Sequence, residues 1–178
     1  MPTSKLVLVV DDIPDHASLY TTALERRGYR VQLARTGIGA KAAARNEPPD
    51  CIVMDVRLPD VDGWDLCREM KAEPQLKLVR IIVLTSEVTK KCAEDSTRSG
   101  CQAWLARPTL AQDVVRAVDH VMAASAHKPE SAEEAMLGVT TCIACGSDQI
   151  RATLRFGSVQ YYCCNACSLC WRSEGQPA

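Results

Sequence analysis

The sequence predicts an α/β fold, a doubly wound parallel sheet of five strands followed by a small β domain. Three observations lead there. Between Lys5 and Ser125, short apolar runs alternate with segments of helical period, the pattern of parallel strands joined by crossover helices. The runs are rich in Val, Ile and Leu with little polar alternation, as strands covered on both faces should be. Beyond Ser125 the composition changes, and six cysteines crowd the stretch from Cys142 to Cys170.

Taken in order, the expected strands are Leu6 to Val10, Tyr29 to Ala34, Cys51 to Asp55, Arg80 to Leu84 and Gln102 to Ala106. Helices fill the gaps. The first carries Ala17, Tyr20 and Leu24 on one face and stops at Gly28, and the last groups Leu110, Val114, Val118 and Val121. Gly28 and Gly100 stand just past helix ends, where a left-handed backbone is needed. From Ala126 to Ala135 there is no large apolar residue, which reads as a solvated linker with room for a short helix over Ala132 to Leu137. The expected organisation is a domain over 1–125, a linker over 126–138 and a second domain over 139–178.

Composition excludes some functions. Lys and Arg number 21 against 22 Asp and Glu in 178 residues, so no overall field draws the chain to nucleic acid or an anionic membrane. The longest apolar strings, Leu6 to Val10 and Ile81 to Leu84, are far short of a membrane span, and Met1 to Lys5 lead into no signal-peptide core. A cytoplasmic location is expected. In a reducing cytosol the scattered Cys51, Cys67, Cys92 and Cys101 read as packing residues, and the clustered six as metal ligands.

In a doubly wound sheet, ligands bind beyond the carboxyl ends of the strands. Here the first strand ends in Asp11 and Asp12, the third in Asp55, the fourth in Thr85 and Ser86, and the fifth in Arg107 and Pro108. Three crowded carboxylates raise one another's pKa unless a cation is present. A hard, oxygen-seeking divalent ion such as Mg²⁺ resolves the conflict, since it accepts one or two carboxylates with water and phosphate completing its shell. The remaining carboxylate oxygen can attack phosphorus, and Thr85 with the strand-five cation Arg107 would neutralise the charge that results. Asp55 is the expected acceptor.

Residues 5 to 124 resemble the receiver domain of two-component response regulators, through Asp11-Asp12, the segment Asp55-Val56-Arg57-Leu58-Pro59-Asp60-Val61-Asp62-Gly63, Thr85-Ser86 and Arg107-Pro108 in order. The resemblance implies a flavodoxin-like sheet of order 2-1-3-4-5. It implies that Asp11, Asp12, Asp55 and the backbone carbonyl of Arg57 hold Mg²⁺, with Asp12 the more direct ligand. It further implies that Asp55 takes phosphate from a histidine kinase or phosphotransfer protein, and that Thr85 and Trp104 are switch residues, Trp104 at the family's aromatic switch position. The family has lysine where this chain has Arg107, a swap that keeps the charge but changes the shape and reach of the head group. Lys90 and Lys91 read as exposed helix charges, with compensation for Arg107 as the other reading. Arg57 and Glu87 are either a bridge above Asp55 or two independent surface charges, and His16 reads as a solvent-exposed residue of the first helical turn.

The tail holds Cys142-Ile143-Ala144-Cys145-Gly146 and, later, Tyr162-Cys163-Cys164-Asn165-Ala166-Cys167-Ser168-Leu169-Cys170. Two Cys-x-x-Cys turns around a hairpin, with Gly157-Ser158 as its turn, suit a tetrahedral Zn²⁺ site and resemble a zinc ribbon. Cys142, Cys145, Cys164 and Cys167 are the preferred ligands, with Cys167 and Cys170 competing as the second pair. The metal would be structural, because so small a domain buries too little surface to fold unaided and all four positions are filled by protein.

The expected function is therefore a response regulator phosphorylated on Asp55, with no turnover of an external substrate beyond self-phosphorylation from a donor and self-dephosphorylation. Output through the ribbon to a downstream protein is preferred to nucleic-acid binding, and a phosphorylation-dependent homodimer is compatible with it. The competing reading is a pseudo-receiver, a scaffold that Arg107 has left unable to accept phosphate.

Overall fold

The computed structural model describes residues 5–86, 90–123, 150–156, 159–164 and 169–174. Five parallel strands, β1 (Leu6–Val10), β2 (Arg30–Ala34), β3 (Cys51–Asp55), β4 (Arg80–Thr85) and β5 (Ala103–Ala106), alternate with helices α1 (Pro14–Arg27), α2 (Gly37–Asn46), α3 (Gly63–Ala72), α4 (Lys90–Ser99) and α5 (Ala111–Ala123). The strands lie in the order β2-β1-β3-β4-β5, so the winding reverses between β1 and β3.

Alternation along each strand builds two cores. Val7, Val9, Val53, Ile82, Leu84 and Leu105 pack with Tyr20 and Leu24 of α1 and Val114, Val118 and Val121 of α5. The opposite set, Leu8, Val10, Ile52, Met54, Val83 and Trp104, packs under α2, α3 and α4. A strand buried on both faces needs apolar residues at every position, and β1 and β3 are buried throughout. The expected strand Tyr29 to Ala34 departs from this. β2 is an edge strand, with Leu33 43% exposed, because only β1 flanks it. Leu110 is likewise not part of a buried helix face: it precedes α5 and is 61% exposed.

Helix ends follow their chemistry. Pro14 starts α1 and Gly28 ends it with φ 101, while Gly100 follows α4 with φ 75. Thr36 caps α2 by accepting from Gly39 N, and Asp62 caps α3 by accepting from Trp64 N. Cys51, Cys67, Cys92 and Cys101 are all buried and none is in a disulfide.

The C-terminal strands β6 (Ile150–Phe156), β7 (Val159–Cys164) and β8 (Leu169–Glu174) form an antiparallel set. β6 and β7 pair antiparallel, and the hairpin turn anticipated at Gly157-Ser158 lies outside the described residues. β8 runs antiparallel to β5, with Trp104 opposite Cys170 and Leu105 opposite Leu169, so the tail extends the sheet to eight strands in the order β2-β1-β3-β4-β5-β8-β7-β6. The linker over 126–138 also lies outside the described residues. Among the described residues, no helix is long and apolar enough to cross a membrane.

Candidate phosphoryl-acceptor site

The crevice between β1 and β3 lies where the strand order reverses, which is where an open α/β sheet exposes its binding edge. Asp11 and Asp12 follow β1 and Asp55 ends β3. One carboxylate oxygen from each lies within 4.8 Å of the others. Asp11 is fully buried, Asp55 is 7% exposed and Asp12 is exposed. This all-oxygen, mostly carboxylate set suits a hard divalent cation rather than a thiol- or imidazole-seeking one.

Local hydrogen bonds hold the acids in place. Asp11 Oδ1 accepts from Ile13 N at 2.9 Å, and Asp55 Oδ1 accepts from Arg57 N at 3.2 Å. After β3 the chain turns tightly, with Gly63 N donating to Val56 O at 2.7 Å. A Cβ on Gly63 would lie 2.4 Å from Asp55 O, so this position must be glycine for α3 to start directly beneath the acceptor. Asp60, inside the same segment, works elsewhere: its carboxylate accepts from Gly37 N and Ile38 N at 2.8 and 2.9 Å, clamping the start of α2. Those two bonds hold its pKa below the ordinary carboxylate value.

Burial, more than any neighbour, pushes the Asp55 pKa up. Asp11 and Asp12 add to the rise, while the Arg107 charge and the Arg57 amide oppose it. Arg107 comes from the end of β5, where its backbone N donates to Thr85 O at 2.7 Å and its peptide bond to Pro108 is cis. Its Nη2 lies 2.5 Å from Asp11 Oδ2 and 3.2 Å from Asp55 Oδ2. Burial alone would lower the Arg107 pKa, but Asp55 and Asp11 outweigh it and raise the guanidinium above its ordinary value. The cation is therefore permanent.

Thr85 ends β4 and is buried. The β4–β5 register sets Thr85 opposite Ala106 and Val83 opposite Trp104, so Thr85 and Trp104 share one face of the sheet. Trp104 is 2% exposed, and its indole Nε1 has no hydrogen-bond partner among the described residues. Arg57 reaches across the β3 and β4 ends to donate from Nη2 to Ser86 Oγ at 2.6 Å. Glu87, the other half of the anticipated bridge, lies outside the described residues. Lys91 is exposed and lines a cleft of about 200 Å³ with Val56, Arg57, Thr85 and Asp95, on the α4 side of the acids. The Lys90 side chain lies outside the described residues, and among those described the cation against Asp11 and Asp55 is Arg107.

The structure corrects the expectation for His16. Its Nδ1 meets Arg107 Nη1 at 2.5 Å and lies 3.8 Å from Asp11 Oδ2, and its side chain is 40% exposed. Tyr20, one turn further along α1, sets its ring 5.9 Å from the Arg107 guanidinium carbon. The available signal was the spacing of four between them, which puts both on one helix face directly after the acidic pair. Of the expected zinc ligands, Cys164 ends β7, whereas Cys142, Cys145 and Cys167 lie outside the described residues.

Comparison with known proteins gives a consistent picture. The family model described as the response regulator receiver domain matches residues 7–119. The polar-differentiation response regulator DivK of Brucella ovis is 30% identical over 105 residues, covering 59% of this chain and 85% of DivK. Among solved structures, the chemotaxis response regulator CheY4 of Vibrio cholerae superimposes with a TM-score of 0.64 at 27% identity, over 67% of this chain and 99% of that one. The receiver domain of a signal transduction histidine kinase from Syntrophus aciditrophicus matches with a TM-score of 0.64 at 26% identity, over 72% of this chain and 97% of that one.

Proposed function

Because the chain belongs to the response-regulator receiver family over residues 7–119, we propose that it is a working receiver whose Asp55 accepts a phosphoryl group from a histidine kinase or phosphotransfer protein. The observation that carries this is the convergence of Asp11, Asp12 and Asp55 within 4.8 Å of one another at the sheet's switch point, with Arg107 against two of them. Receiver domains bind Mg²⁺ at this acidic site, and Asp11, Asp12, Asp55 and the Arg57 carbonyl are the groups that would hold it here. Bound there, the ion supplies charge neutralisation for the incoming phosphoryl group.

A carboxylate oxygen of Asp55 attacks the phosphorus of a phosphohistidine. The new P–O bond forms as the P–N bond breaks, and the imidazole leaves with the electron pair and takes up a proton. Thr85 and the guanidinium of Arg107 stand at the strand ends to receive the new oxygens, and a planar fork suits phosphate. For the docking partner, Leu19 on α1 and Ala111 at the start of α5 line one shallow groove. Ile13 and Leu110, which precede these helices, are exposed apolar residues as well, a surface suited to an amphipathic helix that carries the donor histidine.

Output follows the sheet. An unpartnered buried N–H carries a cost, so the Trp104 indole has a reason to move when Thr85 is drawn toward a phosphoryl group. Trp104 lies opposite Cys170 on β8, and the movement would pass directly into the C-terminal strands. These are read as a zinc ribbon with Cys142, Cys145, Cys164 and Cys167 as ligands, addressed to a protein partner.

The competing reading, a scaffold never phosphorylated, draws on the same ion pairs, since Arg107 closes the cluster in the resting state. Incubation with Mg²⁺ and acetyl phosphate followed by intact-protein mass spectrometry separates the two. A gain of one phosphoryl group that disappears in Asp55→Asn is the expected result, and no gain with any donor establishes the scaffold.

A further inference from the structure

We propose that His16 is a positioning residue that docks the Arg107 guanidinium between Asp11 and Asp55, so that a divalent cation entering the cluster must displace an internal cation. The proposal rests on the reading of the acidic cluster as a divalent-cation site.

Asp11 and Asp55 are both buried, and buried charges are paired with a counter-charge. Arg107, whose side chain is 13% exposed, supplies it. A lysine would do so with a single nitrogen. The guanidinium instead spends Nη2 on both acids and leaves Nη1 and Nε with hydrogens to satisfy. Nε has no partner among the described residues. Nη1 meets His16 Nδ1 at 2.5 Å, and against a permanent N–H donor that ring nitrogen is the acceptor, which places the imidazole's own hydrogen on Nε2. Tyr20 offers its ring face to the same cation at 5.9 Å. His16 and Tyr20 stand four residues apart on α1, with ring centroids 6.4 Å apart. One face of α1 therefore forms a cradle that holds the arginine toward the acids.

The consequence is a competition. With the cradle intact, Mg²⁺ binding must break the contacts of Nη2 with Asp11 and Asp55. Without His16, Nη1 loses its protein acceptor, the guanidinium turns toward water, and the carboxylates are freer to take the ion. His16 thus acts through Arg107 and leaves the acids themselves untouched.

The test is Mg²⁺ titration of the full chain by isothermal calorimetry at one fixed pH. His16→Ala is expected to bind Mg²⁺ about 3- to 10-fold more tightly than wild type, the range of a coupled contact pair. Arg107→Ala is expected to bind more tightly as well, and adding His16→Ala to it should bring no further gain. His16→Gln, which keeps an acceptor near the same reach, should return affinity toward wild type, and thermal unfolding of each variant checks that it is folded. An unchanged or weakened affinity in His16→Ala would overturn the proposal, as would independent, additive gains in the double variant. If neither wild type nor any variant binds Mg²⁺, the divalent-site reading falls and takes the proposal with it. If wild type binds Mg²⁺ and gains phosphate while His16→Ala is indistinguishable from it, the proposal alone falls.

Discussion

Arginine at position 107 changes how the site is held. Its fork reaches Asp11 and Asp55 from one nitrogen and His16 from the other, where a lysine would bring a single nitrogen to the acids. The buried cysteines show the opposite behaviour, groups kept silent by their surroundings. Burial lifts the thiol pKa of Cys51 and of Cys67 from 9.0 to about 12. The thiolate is the reactive form, so neither should react in the native protein. At pH 8, iodoacetamide is expected to leave Cys51 and Cys67 unmodified until denaturant is added, and native labelling of either would contradict the assigned burial. The same shift carries a stability sign. Between pH 9 and 12 the folded thiols keep protons that the unfolded chain has lost, so their contribution is complete below pH 9 and fades as pH rises through that window.

At the scale of elements, β1 and β3 have the bounds their apolar runs suggest, because a strand buried on both faces advertises every residue. The edge position of β2 was not legible in that way. Periodicity reports which faces a strand offers, whereas whether it has one neighbour or two depends on the order of strands. His16 and Arg107 are separated by 91 residues, and their contact depends on the reach of two side chains across a crevice, which no local pattern encodes. The acidic cluster was legible because Asp11 and Asp12 follow the apolar run of β1 and Asp55 closes that of β3. In the tail, β7 and β8 set Cys163 opposite Cys170, and Cys164 is the last residue of β7. The proposed zinc-ribbon reading predicts a single Zn²⁺ per chain, retained in Cys163→Ser and lost in Cys164→Ser when bound metal is measured by elemental analysis. Loss in Cys163→Ser with retention in Cys164→Ser would reassign the ligands.

For the whole molecule, the sheet is the connecting structure. Its carboxyl edge gathers Asp11, Asp12, Asp55, Thr85 and Arg107, and its β5 border is continued by β8. Trp104 belongs to both parts, sharing a sheet face with Thr85 and pairing with Cys170. On the proposed reading, a change at the acids would reach the C-terminal strands through this pairing. All of this depends on the acids and Arg107 forming a site that can exchange its internal cation for a metal and a phosphoryl group. A crystal structure of the chain with Mg²⁺ and beryllofluoride tests that most directly. Metal density among Asp11, Asp12 and Asp55, a beryllofluoride on the Asp55 carboxylate, and the Arg107 guanidinium turned onto its fluorines are the expected result. A cluster holding neither, with Arg107 still bridging Asp11 and Asp55, would contradict it.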